Sequence, residues 1–144
     1  VSVHLIKLCV GVEDFDHLAR LQKKRIAEFK AQGLSPHPRH YTRMKPKREA
    51  ELLDGGSIYW VIKGVIRARQ KLVAFDSYTD EEGIRRCAIV LDPDLIATRN
   101  RPHRPFQGWR YLDPAKAPDD ASGGGDDVDL PPDLVRDLDT LGLL

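Results

Sequence analysis

Arg39, Arg43, Lys45, Lys47 and Arg48 fall within ten residues, with His40 and Tyr41 among them. Residues 99 to 111, RNRPHRPFQGWRY, repeat that chemistry with Arg99, Arg101, Arg104 and Arg110 beside Phe106, Trp109 and Tyr111. Arginine offers a planar fork of donors that matches phosphate, and an exposed aromatic ring offers an unstacked base a platform. Together they suit single-stranded or irregular nucleic acid better than duplex DNA, because no basic recognition helix accompanies them. The same aromatics also suit a simpler task, anchoring an extended segment on a core with the arginines turned outward.

Other chemistry is poorly supplied. His37 and His40 lie three apart, but no CxxC pair or HExxH run accompanies them, so no metal site is expected. There is no GxSxG elbow. The glycines at 54–57 lack the lysine of a phosphate loop, and GGG at 123–125 sits among acids. No cofactor is expected. Cys9 and Cys87 lie inside apolar runs and read as small buried hydrophobes in a reducing compartment. His40 titrates near neutrality and is the one candidate acid or base, with Arg43 or Lys45 to hold a phosphate.

These residues need elements to carry them. The 144 residues allow one domain with its own core, and 41% hydrophobic with 31% charged residues describe a globular chain. VSVHLIKLCV reads as a strand buried on both faces. EDFDHLARLQKKRIAEFKAQG reads as a helix, with Asp14 as N-cap, Phe15, Leu18, Leu21 or Gln22, Ile26 and Phe29 on its apolar face, and Gly33 as its stop. LSPHPRHYTRMKP reads as a loop, and PKREAELLD as a short helix closed by Gly55 and Gly56. IYWVIKGVIRARQKLVAF reads as one long strand bent at Gly64. Alternation along it puts Ile58, Trp60, Ile62, Ile66, Ala68 and Leu72 on a core face, and Tyr59, Lys63, Arg67, Arg69 and Lys71 on a basic one. The acidic turn DSYTDEEG leads to a returning strand, IRRCAIVL; DPDL marks the next turn, and GWRYL a last short strand.

Charge divides the chain. Residues 1–111 carry 21 Lys and Arg against 13 Asp and Glu, a balance of +8, whereas 112–144 carry 2 against 9, a balance of −7. The reading is therefore a single α+β domain over 1–112, a bent sheet or partly closed β-barrel flanked by helices. An acidic, flexible Pro/Gly/Asp-rich tail follows over 113–144, in which Leu134, Leu138 and Leu141 mark a possible short helix. No run reaches the roughly 20 apolar residues of a membrane helix, and no leader is seen, so the expectation is a cytoplasmic protein without a membrane.

HLIKLCVG, YTRMKPKR, DGGSIYWVIKGVIRARQ, RRCAIVLDP and RPFQGWRYL together resemble a family of small alphaproteobacterial proteins, domain of unknown function fourteen eighty-nine. The resemblance covers about residues 3 to 112, leaves out the tail, and implies no catalytic residue. The order of a helix ending at DGG followed by a strand and KGVIRARQKLV also resembles, in layout alone, PUA-like and ASCH barrels, which implies RNA or modified-nucleotide recognition.

The leading expectation is a module for RNA or single-stranded nucleic acid. Arg43, Lys45, Lys47, Arg48, Lys63, Arg67, Arg69, Arg99, Arg101, Arg104 and Arg110 are its anion contacts, and Tyr59 and Trp109 its stacking rings. The tail's carboxylates are expected to compete for that basic surface. A small enzyme or sensor for a nucleotide or phosphorylated metabolite, using His40, is the alternative. A protein-interaction adaptor using the terminal leucines is a third.

Overall fold

The run from Ile58 to Phe75 contains a reversal rather than a bend. In the computed structural model, which describes residues 3–121, β3 (Ser57–Ile62) and β4 (Val65–Thr79) form a hairpin with Ile62 paired to Val65. Lys63 and Gly64 make its two-residue turn at φ of 50° and 78°. Positive φ at both central residues is the turn whose twist matches paired strands, and glycine adopts it without steric cost.

Six further strands and helices lie among the described residues: β1 (His4–Leu8), α1 (Phe15–Ala31), β2 (Arg39–Thr42), α2 (Glu49–Leu53) and β6 (Trp109–Leu112), with β5 (Arg85–Pro102) returning antiparallel to β4. The strands form one mixed sheet in the order β2-β5-β4-β3-β1-β6. Only β1 and β3 are parallel. The fold is thus α+β with a bent six-stranded sheet that does not close into a barrel, flanked by two helices.

Helix α1 begins where its sequence says it should. The Asp14 carboxylate accepts from the His17 N–H at 2.8 Å and relieves one of the unpaired donors of the first turn. Leu18 and Gln22 face inward and are buried. Beneath them lie Leu5, Ile58, Trp60, Ile62, Leu72, Ile89 and Leu91, joined by Leu52 of α2. The opposite sheet face buries Ile6, Tyr59, Val61, Ile66 and Leu112, with Phe106 and Ala117 packed against them. The central strands are therefore covered on both sides, as VSVHLIKLCV requires.

Three expectations change. Ile66 lies on the second face because the β4–β5 register shifts between Ile66 and Ala68, and a one-residue irregularity reverses the alternation. DPDL is no turn: it runs inside the 18-residue β5, where the register shift at Gln70/Leu72 absorbs it. At ~3.3 Å per residue such strands would overrun a small domain if straight, and bulges let them wrap. The loop expected before Pro46 contains β2, an edge strand pairing Arg39–Thr42 with Val90–Cys87.

The sheet's curvature brings its two edges near each other. Trp109 Nε1 on β6 donates to the Met44 carbonyl at 3.1 Å, and the Arg48 N–H donates to the Tyr111 hydroxyl at 3.2 Å. The segment that leaves β2 thus crosses to β6 and is fastened there by side chains. Past β6, Pro114–Lys116 form a 3-10 turn capped by the Asp113 carboxylate on the Ala115 N–H at 2.9 Å. The first residues of the expected linker therefore lie ordered against the sheet. Its remainder, with Leu134, Leu138 and Leu141, lies outside the described residues. No helix among the described residues is long and apolar enough to cross a membrane.

Candidate functional site

Lys7 stands two residues beyond Leu5 on β1, so the pleat turns it toward the same side, under α1. Arg25 follows Gln22 by three and Leu21 by four on α1, and Phe29 follows Arg25 by four, so all look down one helix face. His40 pairs with Ile89 across β2 and β5 and shares its side. Together with Trp60, Leu91 and Cys9, these residues line a cleft of about 880 Å³ between α1 and the sheet. Pockets of this size and apolar character are the usual seats of small ligands.

The floor is rigid. Trp60 Nε1 donates to Gln70 Oε1 at 2.9 Å, and the Gln70 and Gln22 amides bond each other reciprocally at 2.7 and 2.8 Å. A further bond from Gln70 Nε2 to the Asp92 carbonyl at 3.1 Å ties this network to β5. Gln70 is fully buried and Gln22 nearly so, and satisfied networks of this kind fix a single arrangement of helix on sheet.

The electrostatics have one sign. Among the described residues, the charged lining residues are Lys7, Arg25 and Arg39, and none of the lining residues is a carboxylate. Arg39 is engaged by Asp76 at 3.2 Å, whereas among the described residues Lys7 and Arg25 form no salt bridge. Burial lowers the Lys7 pKa, and burial reinforced by Lys7 and Arg25 takes that of His40 from 6.5 to about 4. Burial pushes the Cys9 thiol up to about 11 against the pull of those same cations. Near neutral pH the described residues of the cleft present two cations with no ion-pair partner among them, a neutral imidazole and a protonated thiol, an arrangement that favours an anion. Both cysteines are free thiols.

Residues 5–144 match the family described as "Protein of unknown function (DUF1489)". The chain belongs to this family. The match runs through the acidic tail, beyond the 3–112 span of the sequence resemblance, so the tail is part of the family pattern. No curated protein and no solved structure matches the chain.

The DUF1489 chain places the expected anion contacts unevenly. The two basic segments meet where Trp109 bonds Met44, and the Arg48 guanidinium lies 5.4 Å over the Tyr111 ring. Arg43, Lys47, Arg101, Arg104 and Arg110 are exposed. Others are engaged: Lys45 by Glu49 at 3.1 Å, Arg48 by Glu51, Lys63 by Glu13, and Arg69 by Asp120 at 2.7 Å. Arg67 and Arg99 are half-buried on β4 and β5. Tyr59 is 5% exposed and has no open ring face; Trp109 is half-buried against the core. His40 lines the cleft, but Arg43 and Lys45 do not.

Sequence reasoning passed over Lys7 and Arg25, and it read Cys9 as a buried hydrophobe whereas Cys9 is only half-buried and lines the cleft. The signal was present, since Lys7 has the parity of Leu5 and Arg25 the helical phase of Leu18, Leu21 and Phe29. Among the described residues, no group of three His, Cys, Asp or Glu lies placed to hold a metal ion.

Proposed function

We propose that this chain is a binding protein for a small phosphorylated organic anion with a ring or apolar body, a class that includes nucleotides. The observation that carries the reading is the cleft lining, in which, among the described residues, Lys7 and Arg25 have no ion-pair partner, no carboxylate is present and most of the remainder is apolar. Lys7 and Arg25 would take the charged group and the apolar wall the body, while neutral His40 would contribute one donor or acceptor. Charge-assisted hydrogen bonds contribute about 1.5–3 kcal/mol each, so removing either cation should weaken binding roughly tenfold to a hundredfold.

Isothermal titration against nucleotides, phosphorylated sugars and their dephosphorylated forms tests this, with Lys7→Gln and Arg25→Gln as controls. The expected result is binding by a phosphorylated compound, loss with its dephosphorylated form, and weakening in both variants. Saturable binding that both variants leave unchanged would place the ligand elsewhere and end this reading.

A second reading, single-stranded RNA or DNA on the outer surface, is favoured by the meeting of segments 43–48 and 109–111. It draws on fewer cations than the sequence suggests, because Lys45, Arg48, Lys63 and Arg69 already face acids. Fluorescence anisotropy with single strands at several salt concentrations tests it. Arg101→Ala with Arg104→Ala should flatten the salt slope by about 0.7 per lost phosphate contact.

A further inference from the structure

Arg69 lies on the sheet face turned away from α1, opposite Tyr59 in the β3–β4 register. One carboxylate, 51 residues further along the chain, fills its fork: Nε donates to Asp120 Oδ1 at 2.7 Å and Nη2 to Oδ2 at 2.8 Å. Its third donor, Nη1, reaches the Ser57 hydroxyl at 3.0 Å. This is the two-pronged geometry by which arginine recognises carboxylate and phosphate oxygens.

A hollow of about 330 Å³ adjoins the pair. The sheet side of its wall supplies His4, Tyr59 and Arg69, and every acid in the lining, Asp119 and Asp120, comes from the covering segment. With that segment lifted away, the hollow keeps a cation and neutral polar groups. The His4 Nδ1 accepts from the Ser57 N–H at 3.0 Å, and burial, with Arg69, lowers the His4 pKa.

The cover is lightly fastened. Besides the ion pair, the Arg99 N–H donates to the Asp119 carbonyl at 2.8 Å, Thr98 and Asp120 form an isolated bridge, and Ala117 packs on the second-face core. Beneath that bridge the Thr98 hydroxyl is buried with no hydrogen-bond partner, which weakens the closed arrangement. Segments with few buried apolar contacts open locally well below the global unfolding free energy.

We propose that this hollow is a second binding site, for a phosphate-type oxyanion, and that Asp120 occupies it in cis. The acidic segment then acts as a tethered competitor whose effective concentration sets how much external anion is needed. The site lies on the sheet face opposite the cleft of Lys7 and Arg25 and stands independently of the function proposed for it.

The test is a titration of the full ¹⁵N-labelled chain with inorganic phosphate at constant ionic strength, following the Arg69 Nε–H signal. In Asp120→Asn, which keeps the side chain's size and removes its charge, that signal should shift saturably at a phosphate concentration at least tenfold below that needed in the wild type. Adding Arg69→Gln should abolish the saturable phosphate shifts of the neighbouring Ser57 and Tyr59 amides, which Arg25→Gln should leave intact. An Arg69 signal that ignores phosphate in Asp120→Asn, or responds equally in both proteins, overturns the proposal. Should Asp120→Asn not fold, the wild type decides. Phosphate must speed exchange of the Arg99 amide, which donates to Asp119, while sodium chloride does not; equal rates sink the idea.

Discussion

His40 should make the folded protein lose stability as pH falls from 6.5 toward 4. Its pKa is brought from 6.5 to about 4, first by burial and then by Lys7 and Arg25, and its ring packs edge-on against Trp60 with the two centroids 5.2 Å apart. A base with a depressed folded pKa is protonated first in the unfolded chain. Stability is therefore fully present above pH 6.5, declines as pH falls toward 4, and is fully lost below that. At 1.36 kcal/mol per pKa unit the ceiling is about 3 kcal/mol, and the partial exposure of the ring reduces it to roughly 2 kcal/mol. The assay is urea unfolding of the wild type and of His40→Gln between pH 7.5 and 4. His4, whose pKa burial also lowers, and the lowered carboxyls of Glu13, Asp80 and Asp120 titrate in both proteins and cancel in the difference. The wild type should lose about 2 kcal/mol more than the variant over that range. Parallel profiles would show that His40 is not held neutral by this cleft, and the electrostatic case for an anion site would fall with it. A bound anion offsets Lys7 and Arg25, so ligand should raise the His40 pKa and narrow the difference.

Other perturbations read other parts of the fold. Gln70→Leu strands the Trp60 N–H and the Gln22 amide and should cost about 2–4 kcal/mol in urea unfolding; a near-neutral effect would mean the network does not hold α1 in place. Lys63→Asn places the preferred Asn-Gly pair in the β3–β4 turn and should stabilise by about 0.5 kcal/mol in thermal unfolding, despite losing the exposed contact with Glu13. Gly56→Ala would put its Cβ 2.2 Å from the Leu52 carbonyl oxygen, and the forced shift should lower stability by about 1–3 kcal/mol. Removal of residues 122–144, which carry six aspartates and one arginine, should strengthen nucleic-acid or nucleotide binding at low salt by screening-sensitive relief. Equal affinities with and without them would refute competition by the tail.

Elements whose signals are local were legible. The Asp14 cap, the apolar phase of α1 and the β4–β5 turn at Asp80 each depend on residues a few positions apart. Gly64 was misread because an unbroken apolar run on both sides carries no mark of reversal; periodicity is the same for a bent strand and a tight hairpin. β2 was missed for the opposite reason. The prolines of LSPHPRHYTRMKP do argue for a loop, but an edge strand needs one partner only, and β5 supplies it through residues 87 to 90. Ile66 shows the limit of alternation, since a bulge invisible in composition decides its face.

Charge was the least legible property, because a sequence counts cations but does not show what faces them. Lys45 with Glu49 and Arg48 with Glu51 are close along the chain and could be paired by spacing alone. Lys63 with Glu13 and Arg69 with Asp120 are partners only because the hairpin and the β6 return bring distant segments together. Dense basic segments attract attention, but density also recruits local acids, and each such pair subtracts from the field that an external anion would feel. Lys7 and Arg25 lie in stretches that read as strand and helix rather than as sites: Lys7 is a single cation among apolar residues, and Arg25 closes a KKR run but has the helical phase of Leu18, Leu21 and Phe29. Apolar neighbours leave a cation without a competing carboxylate and draw it partly out of water, where its attraction for an anion is strongest. In this chain the cations best placed to bind are therefore those whose strand or helix phase turns them among apolar side chains, and local charge density does not single them out.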